Sequence, residues 1–367
     1  MTTNRSRRGL VTGYVLKLAR ESIPARQQQL AEAIGVDRGT IQGWESGRRP
    51  FTSAPYGQAI ALRHRLVQLG ADPALLHAMT DAAEADFVLS EIVDTRPSDV
   101  LVDQHPLAYR VLTHGLAEML SWPITGQAPT VIASCALRTP ARRGPVADGP
   151  TLDAAEREAF FDGLRAAVVR ATGDGDRAVL LHRQACFLSG LDPAGAVSSW
   201  LASTKQTDYF VRPREWSPRW ADARSIATAL ARQGDVGPLR AFISNAHADE
   251  TCEFASLNYW AYWVGEISER QHDDRFMVSR GLRWQGALLL RHLVERMTSQ
   301  HGYVDLNVHT VWSLLAAKRG LLADDRALGA DLYRRSEQLL DEGQVSEQSR
   351  QELTSVLYGL RMDGMNA

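Results

Sequence analysis

Residues 26–50 read Arg26-Gln-Gln-Gln-Leu-Ala-Glu-Ala-Ile-Gly-Val-Asp-Arg-Gly-Thr-Ile-Gln-Gly-Trp-Glu-Ser-Gly-Arg-Arg-Pro50. Leu30, Ala31 and Ile34 recur at helical spacing, so Arg26–Ile34 reads as a short helix with one apolar face. Gly35 ends it, because glycine adopts the left-handed backbone of a helix terminus without strain. Asp37 suits the N-cap of a second helix, its carboxylate accepting the amide of Gly39 or Thr40. That second helix spans Arg38–Glu45, buries Ile41 and Trp44, and closes at Gly47. The small Ala31 lets it cross the first helix closely. The stretch is a helix, a tight turn and a second helix.

Helical patterning continues on both sides. Tyr14, Val15, Leu18 and Ala19 mark a preceding helix, and Gln58–Leu69 a following one with Ile60, Leu62, Leu66 and Leu69 available for burial. Gly70-Ala-Asp-Pro73 stops that helix, and another apolar helix runs from Pro73 to about Val93. Residues 98–122 read as helical around Leu107–Leu120, ending at Trp122-Pro123. Pro129, Pro140, Pro145 and Pro150, with Arg142-Arg143, mark Thr125–Pro150 as an exposed loop or linker, within which Thr130–Ser134 has the makings of a short strand. Beyond it the expected helices are Asp153–Ala171, Asp176–Leu188, Asp192–Thr204, Ser217–Arg232, one ending near Ala246, Cys252–Ser268, Arg275–Met297, Val304–Lys318, Asp324–Leu340 and Ser346–Arg361. Paired helices on short connections suggest stacked antiparallel hairpins, tetratricopeptide-like in outline but without a fixed period or repeated signature. The chain is therefore expected to be all-α, divided into residues 1–75, connecting helices and a loop over 76–150, and a helical-repeat-like regulatory or dimerisation domain over 151–367.

The 367 residues carry 41 basic and 43 acidic side chains, a net charge of −2. That balance conceals an asymmetry. Residues 1–80 hold eleven basic side chains against five acidic ones, a surplus of six, and the rest of the chain carries a deficit of eight. A basic segment on an acidic body points to nucleic acid at the basic end. Three widely spaced cysteines, Cys135, Cys186 and Cys252, fit neither a disulfide framework nor a thiolate zinc site. The basic N-terminus has no apolar segment behind it, and no run is long enough to span a bilayer, so no signal peptide, no membrane association and a reducing, cytoplasmic setting at the nucleoid are expected.

The stretch resembles the XRE/Cro-type helix-turn-helix regulators. Their pattern is matched at Gln27, Leu30, Ala31, Gly35, Val36, Ile41, Trp44, Glu45, Gly47 and Arg48, and the resemblance covers about residues 10–70. More loosely, the whole chain looks like actinobacterial regulators of this type with a long helical C-terminal region. The resemblance implies a lambda-repressor-like N-terminal domain, double-stranded DNA as partner and a homodimer on a pseudo-palindromic site. It implies that Gln27 and Gln28 face phosphate near the bases, that Arg38, Thr40 and Gln42 look into the major groove, and that Arg48 and Arg49 contact phosphate. Gly39 and Gly43 stand where relatives often carry long polar readers, so Arg38 and Gln42 are left with most of the direct readout, or DNA shape contributes. Arg20 and Glu45 occupy positions that pair as scaffold, alongside the structural positions Ala31, Gly35, Ile41 and Trp44. Arg5, Arg7 and Arg8 read as a minor-groove arm or as a loose tail.

Eight of the nine tryptophans lie beyond residue 100. Tyr259, Trp260 and Trp263 have two readings, a pocket for a small apolar or aromatic effector or aromatic filling between stacked helices. The histidines make no tight ligand pair, Asp174-Gly-Asp176 is too short for a calcium loop, and there is no nucleophile elbow, phosphate loop or dinucleotide fingerprint, so no metal, no cofactor and no enzyme activity are expected. The sequence leads to a sequence-specific DNA-binding transcriptional regulator whose C-terminal helices dimerise and sense a small molecule or peptide. The alternative is a helical scaffold or antitoxin-like interaction protein with an accessory DNA-binding module.

Overall fold

The computed structural model describes residues 9–136, 149–173, 175–192, 215–246 and 249–364, and every regular element among them is helical. The chain divides into two compact units, one of Met1–Leu101 with His114–Ala166, the other of Val102–Thr113 with Ala167–Ala367. No helix among the described residues is long and apolar enough to cross a membrane.

The first unit is built on α1 (Leu10–Glu21), α2 (Gln27–Ile34), α3 (Arg38–Glu45), α4 (Tyr56–Gln68) and α5 (Pro73–Asp94). Val11, Val15 and Ala19 fall on one stripe of α1 and are fully buried, together with Leu16; α1 packs on α3 and α5. Asp72 caps α5 by accepting the Ala74 amide at 2.9 Å, with Pro73 in the first turn, where its missing N–H is no loss. The start of α1 has no side-chain cap of its own, following Gly9. Its free amides are satisfied from α5: the buried Asp86 carboxylate accepts the Val11 and Thr12 N–H groups at 2.9 and 2.8 Å. Burial pushes the Asp86 carboxyl up to about 6, against those stabilising hydrogen bonds.

Next in the chain come α6 (His114–Thr125), α7 (Thr130–Ala136) and α8 (Ala154–Arg170). The strand considered at Thr130–Ser134 is instead the start of α7. Ile132 and Ala133 both donate to the Pro129 carbonyl at 2.9 Å, and the Glu118 carboxylate accepts the Thr130 hydroxyl at 2.7 Å. The helix expected around Leu107–Leu120 begins only at His114, and Pro123 lies inside its last turn. Residues 102–113 belong to the other unit, as two 3-10 turns (Val102–Gln104 and Pro106–Ala108) followed by irregular chain. There Gln184 accepts the Leu112 amide at 2.6 Å and donates to the Leu107 and Arg110 carbonyls, while the Tyr262 hydroxyl donates to Val111. A buried glutamine that serves three backbone groups holds the chain out of a helix.

The second unit holds α9 (Asp176–Ser189), α10 (Pro218–Arg232), α11 (Gly237–Ala246), α12 (Glu250–Trp263), α13 (Ala287–Glu295), α14 (Val304–Ala317), α15 (Arg326–Glu342) and α16 (Glu347–Met362). Among the described helices, packing joins neighbours in order (α9–α10, α10–α11, α13–α14, α15–α16) and helices two apart (α12–α14, α13–α15, α14–α16). The single helix expected over Arg275–Met297 is interrupted. Asp274–Val278 is a 3-10 turn and α13 starts after Gly286, whose φ of 98° is left-handed. Glu266 accepts the Gly286 and Leu289 amides and so caps α13 from a distance. The helix expected at Asp192–Thr204, together with Trp200, Arg142-Arg143 and the basic arm Arg5, Arg7 and Arg8, lies outside the described residues.

Candidate nucleic-acid interface

The α2–turn–α3 segment follows from local chemistry. Gly35 takes φ 70° at the end of α2, and the Val36 amide returns to the Ala31 carbonyl at 3.0 Å. Asp37 caps α3, accepting the Thr40 amide at 2.9 Å and the Thr40 hydroxyl at 2.8 Å. These bonds to Thr40 hold the Asp37 carboxyl below its ordinary value. Ile41 and Trp44 are buried, and Trp44 meets the edge of Phe51 at 5.2 Å between ring centres.

Behind α3, a polar cluster fixes its orientation. Glu45, 8% exposed, accepts Arg20 through Nε at 2.5 Å and Nη2 at 3.0 Å. It also accepts the Gln27 amide at 2.7 Å, so one carboxylate links α1, α2 and α3. The paired geometry of guanidinium and carboxylate makes this a directional tie. Gly13 brings α1 close enough to complete it. A Cβ there would run into the Trp44 carbonyl oxygen and lie 3.1 Å from that of Glu45.

The outward face of α3 carries different side chains. Arg38, Gly39, Gln42 and Ser46 are exposed, and Arg48 and Arg49 follow on the exposed turn. Among the described residues the side chains of Arg38, Gln42 and Arg48 make no hydrogen bond or ion pair, leaving their donors to solvent or a ligand. Arg49 donates to the Thr40 hydroxyl at 3.3 Å. Thr40 is only 8% exposed, and its hydroxyl is engaged by the Asp37 cap. Gln27 is likewise tied to Glu45, while the exposed Gln28 donates to Glu32 at 2.7 Å. Of the sequence-derived candidates, Arg38, Gln42, Arg48 and Arg49 share the exposed side of α3 and its following turn. Neither Gly13 nor Asp86 stood out in the sequence, because each acts through a partner far along the chain.

In the second unit, Tyr259 and Trp263 stack at 6.1 Å and 24°, and Trp260 lies 6.0 Å from the His292 ring. All three are 6–8% exposed. They lie on one aromatic helix, α12, that is buried almost all round.

Residues 16–53 match the family model described as Helix-turn-helix. Comparison with curated proteins and with solved structures gives no significant match. The matched segment takes in the second half of α1, both motif helices, the Arg20–Glu45 tie and the turn that carries Arg48 and Arg49.

Proposed function

We propose that this chain, whose N-terminal domain is an XRE-type, lambda-repressor-like helix-turn-helix of DNA-binding regulators, reads a specific duplex site and regulates transcription in the cytoplasm. One observation carries the reading: Arg38 and Gln42 project without partners from a helix that Glu45, Arg20 and Gln27 lock from behind. A base reader must be held still while its donors remain free, since a side chain already engaged gives up one bond to make another. Arg38 is assigned to a guanine edge and Gln42 to an adenine edge, each bidentate contact worth roughly 1–3 kcal/mol of discrimination. Arg48 and Arg49 are assigned to phosphate, which positions α3 in the groove without reading sequence. Thr40 and Gln27 are assigned to holding α3 rather than to base contacts.

The chain is further proposed to act as a homodimer, setting two recognition helices about 34 Å apart on a pseudo-palindromic site. Its helical body is proposed to receive a small-molecule or peptide signal, and no catalytic role is assigned to it. The test is a mobility-shift titration of genomic fragments at stated salt. Preference for particular fragments over random DNA is expected, and uniform binding would refute the regulator reading.

A further inference from the structure

The interior of the second unit treats its arginines unequally. Arg183, on α9, is buried and paired with the equally buried Asp274 through Nε at 2.7 Å and Nη2 at 2.5 Å. Among the described residues the buried Arg224 and the half-buried Arg232, both on α10, have no such partner. The Arg224 guanidinium lies 4.5 Å from the Tyr259 ring centre and 4.9 Å from that of Trp260, with its Nε buried and without a hydrogen-bond partner. Arg232 lies 4.3 Å from the Phe187 ring centre and 5.9 Å from that of Tyr303, with Nη1 likewise buried and unpartnered. Phe187 meets Trp263 at 5.5 Å, and Trp263 stacks on Tyr259, so the rings run continuously between the two cations.

Burying a guanidinium is costly unless a counter-charge or a full set of acceptors offsets it. A ring face returns only part of that cost and does not replace a carboxylate. Among the described residues the groups that act on Arg224 are Tyr259, which also accepts a hydrogen bond from it, and Arg183, and on Arg232 Tyr303 and Tyr259, with no carboxylate among them. Burial accordingly lowers Arg224 to about 10, and the neighbouring Arg183 charge adds to the effect. Two cations without a carboxylate partner among the described residues, set amid planar rings, suit an anion with a planar apolar body.

We propose that this interior site binds a small aromatic carboxylic acid, with its carboxylate on the Arg224 guanidinium, Arg232 as second cation, and its ring against Tyr259 and Trp263. This rests on the reading of the helical body as the receiver of a signal and gives that signal a chemistry. Guanidinium matches carboxylate in a bidentate geometry, and the side chains of Tyr259 and Trp263 favour offset or edge contacts with a further ring. The slight exposure of the rings, 6–8% for Tyr259, Trp260 and Trp263, suits a small ligand rather than a peptide.

The test is calorimetric titration of the full chain with benzoate and indole-3-acetate, beside the matching neutral amides and acetate. Saturable binding of the aromatic carboxylates at one site per chain, at least about tenfold tighter than amides or acetate, is the expected result. Arg224→Leu is expected to abolish it and Arg224→Lys to weaken it, with unchanged circular dichroism and DNA binding in both variants as the check on folding. No binding of either carboxylate to the wild type, equal binding of the amides, or undiminished binding to a folded Arg224→Leu would each overturn the proposal. A mobility-shift arm with the same acids separates site from signal. Binding that leaves DNA affinity unchanged supports the site and refutes its part in regulation.

Discussion

The two units place their arginines in opposite ways. In the helix-turn-helix unit Arg20 is matched to a carboxylate behind α3, whereas Arg38 and Arg48 are exposed and without partners among the described residues. In the helical body Arg183 is matched, but the buried Arg224 and the half-buried Arg232 have no carboxylate partner among the described residues. A free cation on the surface carries little desolvation cost and suits a ligand as large and solvated as duplex DNA. A free cation inside is expensive and suits a ligand that can itself be buried. Where an unmatched charge sits thus indicates the size and polarity of what it binds.

The largest expected effect tests whether the matched pairs are the structural ones. Asp274→Ala strands a buried Arg183 and is expected to lower stability by about 4 kcal/mol, read as a fall in the denaturation midpoint. Arg224→Leu, by contrast, removes a cation with no counter-charge and is expected to stay within about 1 kcal/mol of wild type. If both lost the same amount, the distinction between matched and unmatched arginines would fail.

Gly13→Ala comes next. Its methyl group would meet the Trp44 carbonyl, and helix backbones cannot shift as a flexible side chain can. The expected cost is about 1–3 kcal/mol, with weaker binding to every DNA sequence. Arg38→Ala is expected to lose about 1–3 kcal/mol at the preferred site and little on random DNA. Arg48→Ala should weaken both alike and flatten the salt dependence of binding by about one counterion. Equal loss of specificity in the two variants would contradict the assignment of roles.

The smallest expected effect concerns pH and again separates the units. His309 lies between Glu253 and Glu352 at 2.8 and 2.7 Å, and these acceptors raise it to about 9 against the opposing effect of burial. Its folded value exceeds its unfolded one, so its contribution is complete below about 6.5 and is lost as pH rises through 9. Asp86 is also raised, to about 6 from 3.8, so its contribution is complete below the lower value and is lost as pH rises through the higher. The difference in melting temperature between wild type and His309→Gln should therefore shrink from pH 7 to pH 9.5. The difference between wild type and Asp86→Asn should change only between about pH 4 and pH 6. A His309→Gln difference that stays constant across the alkaline range would show that the histidine is not held protonated.

The motif was legible because its chemistry is local. Gly35, Asp37 and the Leu30/Ile41/Trp44 spacing act within a few residues, and α3 runs from Arg38 to Glu45 as the pattern indicates. Interactions across long stretches of chain were not legible. Asp86 caps a helix some 75 residues away, and Gln184 diverts residues 107–112 from the helix their composition suggests. Thr40 reads as an outward polar residue until the Asp37 cap and Arg49 are seen to engage its hydroxyl. Nothing in the sequence of Ser217–Arg232 singles out Arg224 or Arg232. Only the packing of α10 shows that it is buried on nearly every side.

The most direct test of the account is selection from a randomised duplex pool, run in parallel with wild-type protein and Arg38→Ala. The wild type is expected to enrich a pseudo-palindromic sequence with a fixed guanine in each half-site, and Arg38→Ala to bind the pool while relaxing that one position. Failure of the wild type to enrich any sequence, or an unchanged selected sequence with Arg38→Ala, would contradict the claim that the unpartnered face of α3 reads DNA.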